Sequence, residues 1–140
     1  MKAPKNISRK QSTRRKAAWK QFSRYIRLKY SDKGYCKCVT CNKVKRYKDI
    51  HSGHYIPQGS SPELMFDERN VHPQCTTCNL YRGGEQALYG EFIARKYGRI
   101  VQIDLVETYK ARKPFKRLWW EYYEIEKEYK EKADLLKGNL

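Results

Sequence analysis

Four of the five cysteines in this 140-residue chain fall into two Cys-x-x-Cys pairs, Cys38/Cys41 and Cys75/Cys78, with 33 residues between the pairs. A Cys-x-x-Cys turn points both sulfurs at one centre. Two such turns complete a tetrahedral Zn²⁺ site with Zn–S bonds near ~2.3 Å. Disulfides are a poor account of these thiols in a reducing cytoplasm. A thioredoxin-like redox motif would want one pair in a βαβ setting. Four thiolates leave no coordination position for water, so such a centre holds a fold and does not hydrolyse a substrate. Cys36 is the odd residue: a small buried side chain or a spare thiol, with replacement of Cys38 as a ligand the alternative. Composition explains why a staple is needed. The chain is 39% hydrophobic and 33% charged, with a mean hydropathy of −0.97. Its core is therefore small, and small cores commonly need a metal or a disulfide.

The charge is lopsided. There are 31 Lys+Arg against 15 Asp+Glu, a net charge of +16. That balance points to a polyanionic partner, nucleic acid first. Residues 1–35 alone hold 12 basic residues against a single acid, Asp32. The concentration reads as a phosphate-contacting arm, with a solvated basic tail as the bland alternative. Arg14, Arg15, Lys16, Lys20, Arg24 and Arg27 are the expected DNA contacts. No run of ~20 apolar residues exists, which excludes a transmembrane helix. The basic N-terminus lacks the apolar stretch of a secretory signal.

Residues 1–11 read as a disordered basic tail. Residues 12–34 read as a basic amphipathic helix, with Trp19, Phe22, Ile26 and Tyr30 at helical spacing, Ser12 or Thr13 as N-cap and Gly34 as stop. Residues 35–98 form the central unit. It comprises the first cysteine knuckle, a β-leaning stretch from Val44 to Ile56, and a loop over 59–74. A short helix near Cys75–Cys78 then breaks at Gly83-Gly84, and another helix runs from Glu85 to Tyr97. Residues 99–140 form a helical arm, with a short helix or strand over Val101–Ala111 and a long helix from Pro114 to about Leu136. Leu118, Tyr122, Ile125 and Tyr129 make a heptad-like seam there, suited to packing on the core or to dimerisation with a second copy. Tyr25, Tyr30, Tyr47 and Tyr55 interleave with cations, a pattern that suits stacking on unpaired bases. Ordinary packing accounts for most of the aromatic residues.

The three histidines, His51, His54 and His72, lie within 22 residues, all between the cysteine pairs. Scattered structural histidines would not confine themselves so, and the group marks a functional site. Its text is Gly53-His54-Tyr55, then Phe66-Asp67-Glu68-Arg69-Asn70-Val71-His72, Gln74-Cys75 and Cys78-Asn79.

Over about residues 30–98 this text resembles the HNH endonucleases of the zinc-stapled ββα-metal (His-Me finger) type. It is similar to phage endonuclease VII, which resolves branched DNA, and closer to the phage NinG/Rap recombination proteins. The resemblance implies an α+β fold: a zinc-stapled ββα-metal core flanked by N- and C-terminal helices. It implies a metal-dependent endonuclease that cuts branched DNA such as Holliday junctions or D-loops in phage recombination. Such an enzyme works in the host cytoplasm and leaves a 5′ phosphate and a 3′ hydroxyl. His54 is the implied general base, Asn79 a ligand of a catalytic Mg²⁺ or Mn²⁺, and Asn70 the brace of the loop carrying His54. Many HNH sequences place a metal-binding Asp before the catalytic histidine; here that residue is Gly53. His51 is the first candidate to replace it, since residues two apart share a strand face. His72 is the second, followed by Asp49 and Glu68. An imidazole-rich site favours Mn²⁺, Zn²⁺ or Ni²⁺ over Mg²⁺. Cutting two strands implies a homodimer. Two other readings stand beside this one: a zinc-stapled DNA-binding protein without catalysis, and a sequence-specific HNH nuclease of the homing or restriction kind. His51, His54, His72 and Asn79 together fit only an enzyme.

Overall fold

Ala18, Phe22 and Ile26 recur every four residues, and helix α1 (Gln11–Lys29) forms with that stripe buried. Arg27 and Lys29 occupy its last turn, where cations suit the negative end of the helix dipole. The computed structural model describes residues 4–140, so the expected tail lies partly outside the described residues.

Two antiparallel ribbons follow. β1 (Tyr35–Lys37) pairs with β2 (Val44–Arg46) around the first cysteine knuckle, Tyr35 opposite Arg46 and Lys37 opposite Val44. β3 (His51–His54) pairs with β4 (Val71–Gln74), His51 opposite Gln74 and Gly53 opposite His72. The β-leaning stretch over 44–56 thus divides between two ribbons, and the expected loop over 59–74 ends in a strand. After β4 the chain makes a π-helical turn over Thr77–Tyr81 where the sequence suggests a short α-helix. Helices α2 (Gln86–Tyr97) and α3 (Arg99–Ala111) pack on each other. Gly98 separates them at φ +95°, a conformation that a side chain would strain. The helix-or-strand alternative over 101–111 resolves as helix.

The last helix, α4, spans Trp119–Gly138, so it does not start at Pro114. The Arg117 guanidinium donates to the carbonyls of Pro62 at 2.9 Å and Glu63 at 3.2 Å. Those bonds tie down residues 112–118, a strap without regular secondary structure. The Glu121 carboxylate then accepts the Leu118 N–H at 2.6 Å and starts the helix. α4 runs alongside α1 in the same direction: Arg14 meets Glu126, Arg24 meets Asp134, and Tyr129 lies edge-on to Phe22 with centroids 4.7 Å apart. Tyr122 packs on Phe66, and Ile125 and Tyr129 join the same cluster. Tyr122, Ile125 and Tyr129 of the seam read as a candidate dimerisation surface are therefore packed within the chain, whereas Leu118 is exposed.

Three apolar clusters share the interior. One joins Phe22, Ile26, Val71 and Tyr129. A second gathers Cys36, Cys38, Ile50, Cys75 and Cys78. A third holds Tyr55, Ile56, Leu64, Tyr89, Ile93 and Leu105. Of the tyrosines read as candidates for base stacking, Tyr25 packs on Tyr129 and Tyr55 is buried against Tyr89. No helix among the described residues is long and apolar enough to cross a membrane.

Phe22 is fully buried where α1, β4 and α4 meet. Phe22→Ala should lower the unfolding free energy by ~3–5 kcal/mol, read from urea denaturation followed by circular dichroism.

Candidate active-site cleft and metal centre

The sulfurs of Cys38, Cys41, Cys75 and Cys78 all lie within 4.8 Å of one another. Cys41 and Cys75 are 3.6 Å apart, close to the ~3.8 Å edge of a tetrahedron with ~2.3 Å Zn–S bonds. All the cysteines are free thiols. The donor set therefore fits a structural zinc. Local turns build it: Cys38 N–H donates to the Lys43 carbonyl at 2.8 Å, and Asn42 N–H returns to the Cys38 carbonyl at 2.9 Å. Burial raises the Cys38 thiol, but hydrogen bonds from the Thr40 hydroxyl and nearby backbone amides outweigh it and bring the pKa to about 6. Burial pushes Cys78 up to about 12. A cation among the sulfurs offsets that penalty. Cys36 stands outside the set. Its thiol donates to the Arg27 carbonyl at 3.0 Å, and burial pushes its pKa up to about 11.

Beside this centre lies a cleft of about 570 Å³ lined by Trp19, Ser23, Arg27, Lys48, His51, His54, Gln58 and Asn79, among other residues. β3 carries both histidines into it, and the π-helical turn carries Asn79, the residue after a zinc-site cysteine. His54 stacks on Trp19 with ring centroids 4.8 Å apart. Its Nε2 meets the Met65 carbonyl at 3.1 Å. A carbonyl can only accept, so Nε2 carries the hydrogen and the lone pair sits on Nδ1. Burial lowers the His54 pKa, partly opposed by the Met65 bond, and keeps the ring neutral. His51 Nδ1 lies 3.2 Å from the Asn79 carboxamide, and His51 Nε2 lies 3.3 Å from the Thr76 hydroxyl.

Asn70 is fully buried and clasps the loop that follows His54. It accepts from Ile56 N–H at 2.8 Å and donates to the carbonyls of Ile56 and Leu64. The same loop supplies Met65, whose carbonyl holds His54.

His72 does not reach the cleft. It is fully buried between Tyr89 and Tyr97, with Nδ1 3.2 Å from one hydroxyl and Nε2 2.8 Å from the other. Tyr89 donates to the Gly53 carbonyl at 2.7 Å, so its oxygen is free to accept from Nδ1–H. Burial pushes the His72 pKa down to about 3. With both nitrogens engaged, His72 is no metal ligand. Glu68 is absent from the cleft as well, held by Lys29 and Tyr129. Asp49 pairs with Arg46 on the surface. No carboxylate lines the cleft among the described residues.

Gly53 has a packing reason. A Cβ there would lie 2.1 Å from Gln74 Oε1, so no side chain fits. Gln74 is fully buried and donates to Thr40 and to the Gly84 carbonyl, tying the zinc knuckle to the loop after the π-helical turn. Position 53 faces this interior, not the cleft. His51 reaches the cleft from the first position of β3, whereas Gln74 fills the space beside position 53.

Of the residues expected to contact DNA, Arg27 lines the cleft and is fixed by the carbonyls of Ser23 and Tyr47. Arg14 and Arg24 are paired with Glu126 and Asp134. Arg15, Lys16 and Lys20 are exposed. The sequence reading missed Trp19, Lys48, Gln58 and the Met65 carbonyl as parts of the site. Trp19 carried a signal for the core face of α1 only, and a carbonyl carries none.

A family model described as Bacteriophage Lambda NinG protein matches residues 1–139. Proteins described as "Protein ninG" are similar to this chain. That of Salmonella phage P22 is 32% identical over 71 residues, 51% of this chain and 34% of the relative. That of Enterobacteria phage H19B is 38% identical over 57 residues, 41% of this chain and 28% of the relative. That of Escherichia phage lambda is 30% identical over 71 residues, 51% of this chain and 34% of the relative. The chain thus spans about a third of the length of the curated relatives it matches. No solved structure matches.

Two outcomes check the metal centre and its neighbour. Elemental analysis should find about one zinc per chain, retained in Cys36→Ala and lost in Cys78→Ala. Gly53→Ala should cost ~1–3 kcal/mol of stability through overpacking against Gln74, read as a lowered urea midpoint.

Proposed function

The chain belongs to the NinG family, and on that premise we propose that it is a metal-dependent DNA endonuclease acting on branched DNA in phage recombination. The observation that carries this reading is the pinned, neutral imidazole of His54, which lines one cleft with His51, Asn79, Arg27 and Lys48.

In this reading the attacking water gives its proton to His54 Nδ1 as its oxygen bonds to phosphorus. The P–O3′ bond breaks and the departing O3′ takes a proton from solvent water, giving a 3′ hydroxyl and a 5′ phosphate. Trp19 on one face and the Met65 carbonyl at Nε2 fix the ring, so no reorganisation accompanies proton uptake. The same carbonyl stabilises the imidazolium that forms. Arg27 and Lys48 face the phosphate charge. The Asn79 carboxamide lies 3.2 Å from His51 Nδ1. His51 and Asn79 would hold a divalent cation, which supplies charge neutralisation at the scissile phosphate. With one imidazole and no carboxylate, Mn²⁺ suits the pair better than Mg²⁺.

The missing carboxylate also favours a second reading, a DNA-binding protein without catalysis. One assay separates them: four-way junction and linear duplex incubated with Mg²⁺, Mn²⁺ or EDTA. Metal-dependent cleavage of the junction supports the nuclease. Binding without cleavage under every metal leaves only the second reading. His54→Ala should lower the cleavage rate by ~10²–10⁴-fold with binding retained.

The pH dependence carries a sign. His54 must be neutral to act, and burial lowers its pKa. The acidic limb of the cleavage profile should therefore fall below the ~6.5 of an ordinary imidazole. A limb at or above that value would remove His54 as the base.

A further inference from the structure

A second cavity, of about 400 Å³, opens beside the cleft. Three separate stretches of chain wall it. Helix α1 gives Arg15 and Lys16, the loop after β3 gives Gln58, Gly59, Pro62 and Met65, and the C-terminal arm gives Arg117 and Tyr122. Gln58 lines both this cavity and the cleft of His51, His54 and Asn79. Met65 joins them too, since its carbonyl holds the His54 ring while the residue lines the second cavity.

The lining is divided by chemistry. Arg15 and Lys16 are exposed and make no ion pair with a described residue, unlike Arg14 and Arg24 on the same helix. Arg117 is already engaged by the carbonyls of Pro62 and Glu63, so it shapes the wall and adds charge. Pro62, Met65 and Tyr122 offer flat or soft apolar surface. No acid lines the cavity among the described residues. Unpaired cations at one side of an aromatic and apolar recess match a nucleotide: phosphate to the cations, base to the ring. A base held in a duplex cannot enter a recess, because its faces are covered by its neighbours in the stack.

We propose that this cavity is a subsite for one nucleotide whose base is unpaired, next to the scissile phosphate, with Arg15 and Lys16 on its phosphate and Tyr122 against its base. The proposal deepens the nuclease reading and rests on it for the position of the cut. The subsite makes cleavage selective for DNA with an unpaired residue at the branch, as a junction or flap provides.

The test uses the full chain without added divalent cation. Affinities for a labelled single-stranded 12-mer and for the matching duplex are read by fluorescence anisotropy. A 2-aminopurine in the single strand reports stacking. Arg15→Gln/Lys16→Gln should weaken single-strand binding by about tenfold or more and duplex binding by less than about threefold. Tyr122→Leu should remove the quenching of 2-aminopurine. Equal losses for single strand and duplex, or quenching that survives Tyr122→Leu, overturn the subsite. The double variant alters only exposed side chains, so it answers even where Tyr122→Leu disturbs the helix packing. The two proposals fail separately. Metal-dependent cleavage with indifferent Arg15/Lys16 and Tyr122 variants sinks the subsite alone. Selective single-strand losses in a protein that cleaves under no metal sink the nuclease and leave the nucleotide site standing.

Discussion

Drawing Cys38 and Cys41 onto Cys75 and Cys78 brings the two ends of a long insert to one point, and that insert carries every residue of the candidate chemistry except Trp19, Arg27 and Asn79. The closure sets the β3–β4 ribbon beside the knuckle. Gln74 then passes the constraint onward. It sits one residue before a sulfur ligand, fills the space a side chain at position 53 would need, and bonds to Thr40 and Gly84. The π-helical turn begins two residues after Cys75, which puts Cys78 among the sulfurs and Asn79 beside His51. A metal held by the four sulfurs would brace the insert at both of its ends.

The three histidines share a side chain and differ in what surrounds it. His72 has a hydroxyl on each nitrogen and serves the interior. His54 has a carbonyl on one nitrogen and an indole on its face, which leaves one basic nitrogen for the cleft. His51 meets a carboxamide and a hydroxyl, both exchangeable for a cation. What each ring offers is decided by which of its nitrogens the fold engages.

Helices α1 and α4 supply the frame for this arrangement. α1 brings Trp19 against His54 and Ser23 against Ser52, so the helix backs β3 directly. α4 covers the other side of α1 and sets Tyr122 beside the strap. A basic arm read as a free DNA-contacting element is therefore half structural. Arg14 and Arg24 are ion-paired within the fold, Arg27 is fixed by two carbonyls while lining the cleft, and Arg15, Lys16 and Lys20 are exposed.

Much of this was legible from residue order. Cys-x-x-Cys spacing carries its own geometry, since two sulfurs on one turn must converge. The four-residue period of α1 follows from the helix pitch in the same way. Asn70 and Asn79 could be singled out by the family resemblance of the text around the cysteines. Other features depend on contacts between residues far apart in the chain, which no local pattern encodes. The strap over 112–118 is tied down because Arg117 finds carbonyls more than fifty residues away. Three of the four seam residues pack on α1 and Phe66, which spacing alone does not reveal. Gly53 looks like a lost ligand until Gln74 is seen to occupy its side-chain space. His72 looks like a site residue until two tyrosines close on it. Spacing along the backbone reports what a turn can bring together, whereas burial and hydrogen-bond partners report what the rest of the chain has left free.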